Sequence, residues 1–439
     1  MTFFKKILRD RATLSAFLDK GLVSFKGPVV IWAVLYFLDV EQQGLWYTFI
    51  SLSALAGLAE LGFTTIISQF VSHEYANLHF KRGLLTGDRR SLDKAIGLVR
   101  YAIKVYCCIV PIAILIMLVV GAYFYSNQTY EILTIWSIYC VVSGLNLISS
   151  LFHSIYRGFD KVYQVHIIKF FSNLVSIFIL VLSLYLGFGI ASLPLSMMFL
   201  LIISIFSVFN IDRKFWFQLL KHKVRYHHSW FKEVVSIQSK YAVSFFCGYF
   251  MFNLFVPLSF KHQGSIVSGQ LGLTLTIAKT ISTISYTWID SKLPTLNMMA
   301  SKRDRVAFKK LFYSKAKYSL LTFFVGTFVL LGIVFLANKY AYYEDRVLSV
   351  GEMTLVLSAE LATVFMSICA IYVRAHKIEP FYIVSMVSAL FVSIIATYFI
   401  TTSSIFNLYI AMNAFNWLVM LPMFFFVANA GMKKLYQSN

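Results

Sequence analysis

Twelve long apolar runs, separated by short and mostly basic loops, restrict what this chain can fold into. A helix of about 20 apolar residues crosses the roughly 30 Å hydrocarbon core of a bilayer, and each run is long enough to do so. With 59% hydrophobic and 13% charged residues, the 439-residue chain has too little polar surface for a soluble protein. The sequence therefore predicts an all-α integral membrane protein with about twelve transmembrane helices. The predicted spans are 17–38, 44–70, 97–124, 131–156, 162–187, 191–211, 236–260, 270–296, 318–337, 351–373, 381–400 and 405–428.

Basic residues are concentrated on one side of these spans. Of the 39 Lys and Arg residues, 28 lie in segments on one side, 3 on the other and 8 inside spans. Such a bias is typical of cytoplasmic loops, so it predicts a multi-pass protein of the bacterial inner (cytoplasmic) membrane with both termini in the cytoplasm. Segments 72–96, 212–235 and 299–317 mix aromatic with basic residues, which predicts short helices on the headgroup layer and contact with anionic lipids. A charge of +20 confined to short loops does not indicate a nucleic-acid partner.

Motifs of common enzyme classes are missing from the sequence. It has no G-x-x-x-x-G-K-[ST] motif for nucleotide phosphates and no H-E-x-x-H or other metal spacing. The five cysteines lie in apolar runs without C-x-x-C spacing, which favours a packing role. We therefore expect no enzymatic activity, no cofactor and no metal site.

Two short patterns recur at nearly the same offset. Lys20-Gly-Leu-Val-Ser-Phe25 returns as Lys240-Tyr-Ala-Val-Ser-Phe245, and Ile155-Tyr156 with Lys161 returns as Ile371-Tyr372 with Lys377. The pattern predicts two six-helix lobes, residues 1–211 and 236–439, joined by a basic cytoplasmic linker at 212–235. Six spans per lobe give both lobes the same orientation, with pseudo-two-fold symmetry about the membrane normal. Transporters built in this way bind substrate between the lobes, which predicts a central cavity.

The second span carries a family resemblance. Residues 44–74 read GLWYTFISLSALAGLAELGFTTIISQFVSHE. This stretch resembles the corresponding span of bacterial O-antigen and polysaccharide-unit flippases, which belong to the multidrug/oligosaccharidyl-lipid/polysaccharide exporter superfamily. The resemblance is closest at Gly44-Leu-Trp-Tyr, Leu58-Ala-Glu-Leu-Gly62-Phe and Gln69 to Glu74. It implies a flippase that moves an undecaprenyl-diphosphate-linked oligosaccharide from the cytoplasmic to the periplasmic leaflet by alternating access, with polysaccharide assembly proteins as further partners.

Basic residues inside the predicted spans are candidates for cargo binding. Placing an ionisable group at mid-membrane depth costs a free energy on the order of several kcal/mol, unless the group faces the bundle interior or a water-filled cavity. Lys26 and Lys279 lie deepest, and we expect both to attract the diphosphate from the cavity. For the six nearer the cytoplasmic ends, snorkelling to headgroups is equally consistent with the sequence. These six are Lys20, Arg100, Lys104, Lys169, Lys240 and Lys292.

Acidic residues are fewer inside the membrane. Glu60 and Glu360 are central in their spans, and Asp290 lies toward a cytoplasmic end. Each either pairs with a nearby cation or carries a coupling ion, a proton or sodium, and the sequence leaves both roles open.

Two other functions compete with the flippase. A membrane polysaccharide polymerase usually carries a large periplasmic loop, whereas the longest predicted external loop here is residues 338–350. A drug/cation antiporter of the same superfamily should have a cavity that favours cations, and the basic residues inside these spans argue against it.

Overall fold

The computed structural model describes residues 11–226, 228–301, 304–339, 346–376 and 380–437. Helices make up nearly all of this part of the chain. Those of the first half are α1 (Arg11–Phe37), α2 (Val40–Ser53), α3 (Leu55–Glu60), α4 (Phe63–Tyr75), α5 (Arg89–Phe124), α6 (Tyr130–Gly158), α7 (Val162–Tyr185), α8 (Ser192–Ile211) and α9 (Arg213–Lys221), with a 3₁₀ turn at Gly189–Ala191. Those of the second half are α10 (Trp230–Phe252), α11 (Phe255–Gln263), α12 (Ser265–Asp290), α13 (Leu293–Ser301), α14 (Arg305–Lys339), α15 (Val350–Arg374), α16 (Tyr382–Thr402), α17 (Ile405–Phe415) and α18 (Leu421–Gln437), with a π-helical turn at Asn416–Met420.

The length and hydropathy of these helices confirm the predicted all-α membrane fold. Within the described residues, nine helices are long and apolar enough to cross a membrane, or ten if the bent pair Val40–Glu60 and Phe63–Tyr75 forms one span. The two remaining predicted spans, 236–260 and 270–296, correspond to α10 with α11 and to α12. Both are helical, but Ser, Thr, Gln and Lys residues lower their mean hydropathy. The structure is therefore consistent with about twelve spans. Lys377 and residues 340–345 of the predicted external loop lie outside the described residues.

Packing divides the chain into two compact units. The first unit consists of Met1–Asp39 and Phe49–Tyr249, and the second of Val40–Thr48 and Phe250–Asn439. The beginning of α2 therefore belongs to the second unit, although it precedes most of the first in sequence. The predicted lobes at 1–211 and 236–439, joined by a linker at 212–235, stay a prediction.

In the first unit, α7 packs against both α1 and α8, and α6 packs against α4, α5 and α8. An aromatic cluster fills the core between α2, α5 and α6. Phe49 lies 4.9 Å from Trp136 and 5.2 Å from Tyr125 between ring centroids. Gly121 of α5 leaves room for the Trp136 indole, because a Cβ at this position would overlap the ring. Burial of these large rings contributes much of the packing of this unit.

In the second unit, the start of α2 and α12 approach each other at backbone distance. A Cβ on Gly269 would lie 2.9 Å from the backbone nitrogen of Gly44, and a Cβ on Gly272 would overlap Tyr47. Small residues permit such close helix contacts inside membranes. The Gly44-Leu-Trp-Tyr stretch therefore has a structural role, since it brings α2 against α12.

The segment 72–96 differs from the prediction of a headgroup helix. Strands β1 (Leu78–Lys81) and β2 (Leu84–Gly87) form an antiparallel hairpin instead. Its two turn residues, Arg82 and Gly83, have φ values of 52° and 82°, as a type I′ turn requires. The Gln218 side chain of α9 then pairs with both the N–H and the C=O of Leu85 at 2.7 Å. In the 212–235 segment, α9 agrees with the predicted short helix.

The segment that follows α9 is held against α5 by two side chains. Asp93 is 1% exposed, lies 2.7 Å from His222 Nε2, and accepts the N–H groups of Arg225 and Tyr226 at 3.0 Å. Arg100, seven residues later on the same helix face, donates to the carbonyl groups of Leu219, Leu220 and His222. Arg100 thus caps the end of α9, where the carbonyl groups have no helical partner.

Lys161 connects the hairpin and α9 to the α6–α7 corner. Its amine lies 2.5 Å from Asp212 Oδ1 and 4.1 Å from the Phe80 ring centroid. Burial lowers the pKa of Lys161, and the hydrogen bond to Asp212 opposes this effect. The carboxylate and the aromatic face together offset part of the cost of burying the ammonium group.

The membrane orientation can be tested by labelling single cysteines in a cysteine-free background. Because the basic segments are predicted to face the cytoplasm, we expect Arg225→Cys to be protected from an impermeant thiol reagent in whole cells. Glu41→Cys, at an exposed position near the start of α2, should be labelled. The reverse labelling pattern would show that the predicted topology is inverted.

Candidate functional site

Lys26 lies in α1 and reaches a neighbouring helix. Its amine donates to Asn173 Oδ1 of α7 at 3.2 Å, and Asn173 Nδ2 donates to the carbonyl of Lys169 at 2.9 Å. The residue is partly buried. The amine therefore binds a partner inside the first unit instead of extending along the helix toward the headgroups.

A second polar contact joins the same two helices. His166 Nδ1 of α7 lies 2.8 Å from Asp19 Oδ2 of α1, and Asp19 is 6% exposed. On α7, residues 166, 169 and 173 share one face because their spacings are three and four. Asp19 and Lys26, seven residues apart, share a face of α1 in the same way. The α1–α7 interface thus carries a column of polar side chains, which we call the polar column.

Basic side chains outnumber acidic ones around this column. Lys169 interacts electrostatically with Arg157 of α6 and with Asp19. His153, 7% exposed and four residues before Arg157, interacts with both Lys169 and Arg157. Within the described residues, Lys26 and Lys169 are partly buried, Arg157 is exposed at the end of α6, and Asp19 is the carboxylate that interacts with Lys169. Two partly buried amines near one carboxylate favour the binding of an anion.

In the second unit, Lys279 and Glu360 lie in one polar cluster. The Lys279 amine donates to the carbonyl of Phe252 at 3.0 Å, at the end of α10. Glu360 of α15 accepts from the Ser282 hydroxyl at 2.7 Å and interacts electrostatically with Lys279 and with Tyr409. A cation at a helix C-terminus and a carboxylate near it offset each other's cost of burial.

Glu60 lies at a break in the second predicted span. It is the last residue of α3, and the next two residues, Leu61 and Gly62, have φ values of 48° and 77°. The helices on either side of the break are bent by 43°. The Glu60 carboxylate accepts from the N–H of Thr64 at 3.1 Å and also from its hydroxyl, and so caps α4. The Leu58-Ala-Glu-Leu-Gly62-Phe motif therefore encodes a carboxylate-capped break in a membrane span.

The other predicted site residues are more accessible. Lys20, Lys104, Lys292 and Asp290 are exposed, and the side chain of Lys240 lies outside the described part of the chain. The structure brings Lys26 together with Lys169, and Lys279 with Glu360, whereas the roles of all these residues stay predictions. Among the described residues, no group of three or more His, Cys, Asp or Glu side chains is placed to hold a metal ion.

Sequence reasoning missed Asp19 and His166 as members of the polar column, and His153 and Arg157 of α6 as neighbours of Lys169. The periodicity held a signal, since positions 166, 169 and 173 form one polar face on an apolar helix. A polar face on an apolar helix indicates that another element packs against it, but the sequence does not say which element.

Comparison with known proteins identifies the fold. Neither a protein-family model nor a curated protein sequence matches the chain. A multidrug resistance MATE family transporter of the MOP superfamily, in its inward-facing conformation, is similar with a TM-score of 0.62 at 12% identity, over 96% of each chain. The lipid II flippase MurJ, in an inward closed conformation, is similar with a TM-score of 0.58 at 13% identity, over 97% of this chain and 91% of MurJ.

A third structure, a MOP superfamily transporter from Pyrococcus furiosus described as having a binding pocket of reverse polarity, is similar with a TM-score of 0.52 at 11% identity. The similarity covers 97% of this chain and 95% of the Pyrococcus furiosus chain. Likenesses over nearly the whole length of both chains show the fold, whereas identities this low do not show the function. The chain is thus a multi-pass membrane protein with the all-helical fold of MOP superfamily transporters.

Proposed function

We propose that this protein is a flippase that moves an undecaprenyl-diphosphate-linked oligosaccharide, such as an O-antigen repeat unit, from the cytoplasmic to the periplasmic leaflet by alternating access. The observation that carries the proposal is the excess of basic side chains along the polar column of the first unit. A diphosphate carries about two negative charges, which would offset the free-energy cost of burying the amines of Lys26 and Lys169. The fold similarity to the lipid II flippase MurJ supports a lipid-linked cargo.

Individual residues take proposed roles in this process. Lys26, Lys169 and Arg157 attract the diphosphate in the first unit, and Lys279 contributes charge in the second. Exposed or cytoplasmic-end lysines assist in collecting the cargo; these are Lys20, Lys104, Lys240 and Lys292. Glu60, Glu360 and Asp290 serve as coupling or ion-pair residues, with a proton or sodium as the coupling ion. Anionic lipids at the cytoplasmic loops and polysaccharide assembly proteins are the further partners.

A drug/cation antiporter is the second candidate, because one of the similar structures is a multidrug resistance transporter with a TM-score of 0.62. The charge of the polar column argues for the flippase, since a cationic drug would be repelled by it. A polysaccharide polymerase has less support, because the similar structures are transporters.

Deletion of the gene in its host separates these candidates. For a flippase, we expect surface polysaccharide to be lost while lipid-linked repeat units accumulate on the cytoplasmic leaflet. An impermeant enzyme that cleaves the sugar from lipid-linked units should not reach them in spheroplasts until the gene is restored. Repeat units that reach the periplasm unpolymerised would favour the polymerase. Normal polysaccharide together with drug sensitivity would favour the antiporter.

A further inference from the structure

We infer that the predicted cytoplasmic ends of α12 and α14 carry a binding site for a sugar ring that lies next to a diphosphate, the sugar end of a lipid-linked oligosaccharide. The site consists of the neighbouring rings of Trp288 and Tyr318 with the Lys315 amine beside them, and we call it the aromatic platform. All three residues belong to the second unit, so the site is separate from the polar column of the first. The choice of ligand rests on the proposed function.

Two packed helices build the aromatic platform. Residues Lys315, Tyr318 and Thr322 share one face of α14 because their spacings are three and four. Helix α12 packs against α14 and brings Trp288 to this face, with 5.5 Å between the Trp288 and Tyr318 ring centroids and 34° between the ring planes. The Trp288 indole N–H donates to the Thr322 hydroxyl oxygen at 2.8 Å. The ring contact and the hydrogen bond together fix the orientation of the indole.

Trp288 is held differently from an aromatic side chain that only anchors a span. An interfacial Trp keeps its apolar ring in the membrane and its N–H toward water or headgroups. The Trp288 N–H is instead bonded within the protein, while Trp288 is 44% and Tyr318 46% exposed. The exposed part of this pair is therefore mainly ring surface. An aromatic face carries partial negative charge and attracts positively polarised C–H groups, which cover the faces of a sugar ring.

Lys315 adds a positive charge to this surface. Its amine lies 5.4 Å from the Tyr318 ring centroid and 5.8 Å from that of Trp288. None of the ion pairs between described residues includes Lys315. A diphosphate carries about two negative charges and would form a charge-assisted hydrogen bond with this amine. The charge complementarity favours a sugar bound to phosphate over a neutral sugar.

A row of threonines on α12 ends beside the aromatic platform. Thr280, Thr283 and Thr287 are spaced by three and four residues, and each hydroxyl donates to the carbonyl four residues earlier. Their oxygens can still accept hydrogen bonds, and Thr283 and Thr287 are exposed. Sugar hydroxyls donate such bonds, whereas the acyl chains of lipids cannot. The row therefore favours a sugar as the occupant.

Chemical footprinting of lysines tests the inference on the full-length protein in nanodiscs of phosphatidylcholine. The probe is an N-acetylhexosamine linked through a diphosphate to a short polyprenyl chain. At about ten times its Kd, the probe should slow the reaction of Lys315 with an amine-reactive ester about 10-fold, because most of the protein is then occupied. Lys309, an exposed lysine of the same helix, should keep its reaction rate.

Variants of the aromatic platform should weaken binding of the probe. Trp288→Leu should raise its Kd about 10-fold through loss of the aromatic contact. Lys315→Met should have a similar effect, whereas Trp288→Phe keeps a ring and should lose less. Trp32 of α1 is the matched control, since it is 53% exposed and stacks on Tyr36 at 5.6 Å. Trp32→Leu should leave the Kd unchanged.

Three results would overturn the inference. The first is an unchanged Kd in Trp288→Leu, Trp288→Phe and Lys315→Met. The second is equal protection of Lys315 by phosphatidylglycerol without the probe, which would make the platform a lipid-headgroup contact. The third is equal binding of a polyprenyl diphosphate that lacks the sugar.

Binding of the probe can be measured without transport, so this test is separate from that of the proposed function. A protein that binds the probe at the aromatic platform but does not flip it keeps the inference and rejects the proposed function. A protein that flips the probe and whose platform variants bind and flip it normally does the opposite.

Discussion

Replacing Gly269 by leucine should prevent the second unit from reaching a stable fold. The Gly269 position of α12 lies against Gly44 of α2, where even a Cβ atom would come within 2.9 Å of a backbone nitrogen. The neighbour is backbone and cannot rotate away, so the helices must separate. The cost of such overpacking is about 3 kcal/mol, a large part of the stability of a typical domain. The measurement is the melting temperature and the monodisperse fraction of the detergent-solubilised protein.

Gly332 provides the matched control for this prediction. It lies in α14, also a predicted span, and a Cβ there would meet no atom within 4 Å. Gly332→Leu should therefore leave the melting temperature close to that of the unmodified protein, because leucine is a better helix former than glycine. A Gly269→Leu protein as stable as Gly332→Leu would show that α2 and α12 do not make this close contact.

Replacing Lys26 by methionine should lower the rate of lipid flipping about 10- to 100-fold, at unchanged protein level. This range corresponds to the loss of one charge-assisted hydrogen bond, about 1.5 to 3 kcal/mol. Methionine keeps the length and most of the volume of the side chain, so packing between α1 and α7 should survive. Lys26→Arg should retain part of the activity because it keeps the charge, although the guanidinium is wider and differs in its hydrogen-bond geometry. The measurement is the initial rate at which a fluorescent lipid diphosphate becomes accessible in the opposite leaflet of proteoliposomes.

The controls for the Lys26 variants distinguish the loss of a positive charge at the polar column from the loss of a positive charge elsewhere in the protein. Lys309→Met removes an exposed lysine at the start of α14, in a segment predicted to be cytoplasmic, and should leave the rate unchanged. Asn173→Ala releases the Lys26 amine without removing its charge, and we expect a smaller loss than for Lys26→Met. Full activity of a double variant, Lys26→Met with Lys279→Met, would remove the cationic mechanism from the proposed function.

The membrane spans could be predicted from the sequence because their cause is local. Hydrocarbon thickness sets the length of a span, and the backbone must satisfy its own hydrogen bonds within it, so an apolar run of sufficient length becomes a helix. Even α12, with its many Ser and Thr residues, is helical over Ser265–Asp290 as expected. The motifs that contain Gly44 and Gly62 could also be identified from the sequence, but the structural role of each glycine could not.

Some local features were present in the sequence and were misinterpreted. The Arg82-Gly83 pair has the residue types of a tight hairpin turn, yet the basic and aromatic residues around it suggested a headgroup helix. The break after Glu60 was likewise hidden inside an apolar run, because hydropathy does not report φ. Only the left-handed backbone at Leu61 and Gly62 shows that this span is broken between α3 and α4.

The sequence alone determined that the chain forms an α-helical membrane protein, which parts cross the membrane and how rare charges are within them. Tertiary structure decided which charges meet. Lys26 binds Asn173, and Asp19 binds His166, each across 147 residues of chain. A helix buries whichever polar face finds a partner, and that partner depends on the packing of distant helices, which no local pattern encodes. For this reason, the free-energy cost of burying each charge and the location of the candidate site follow only from the tertiary structure.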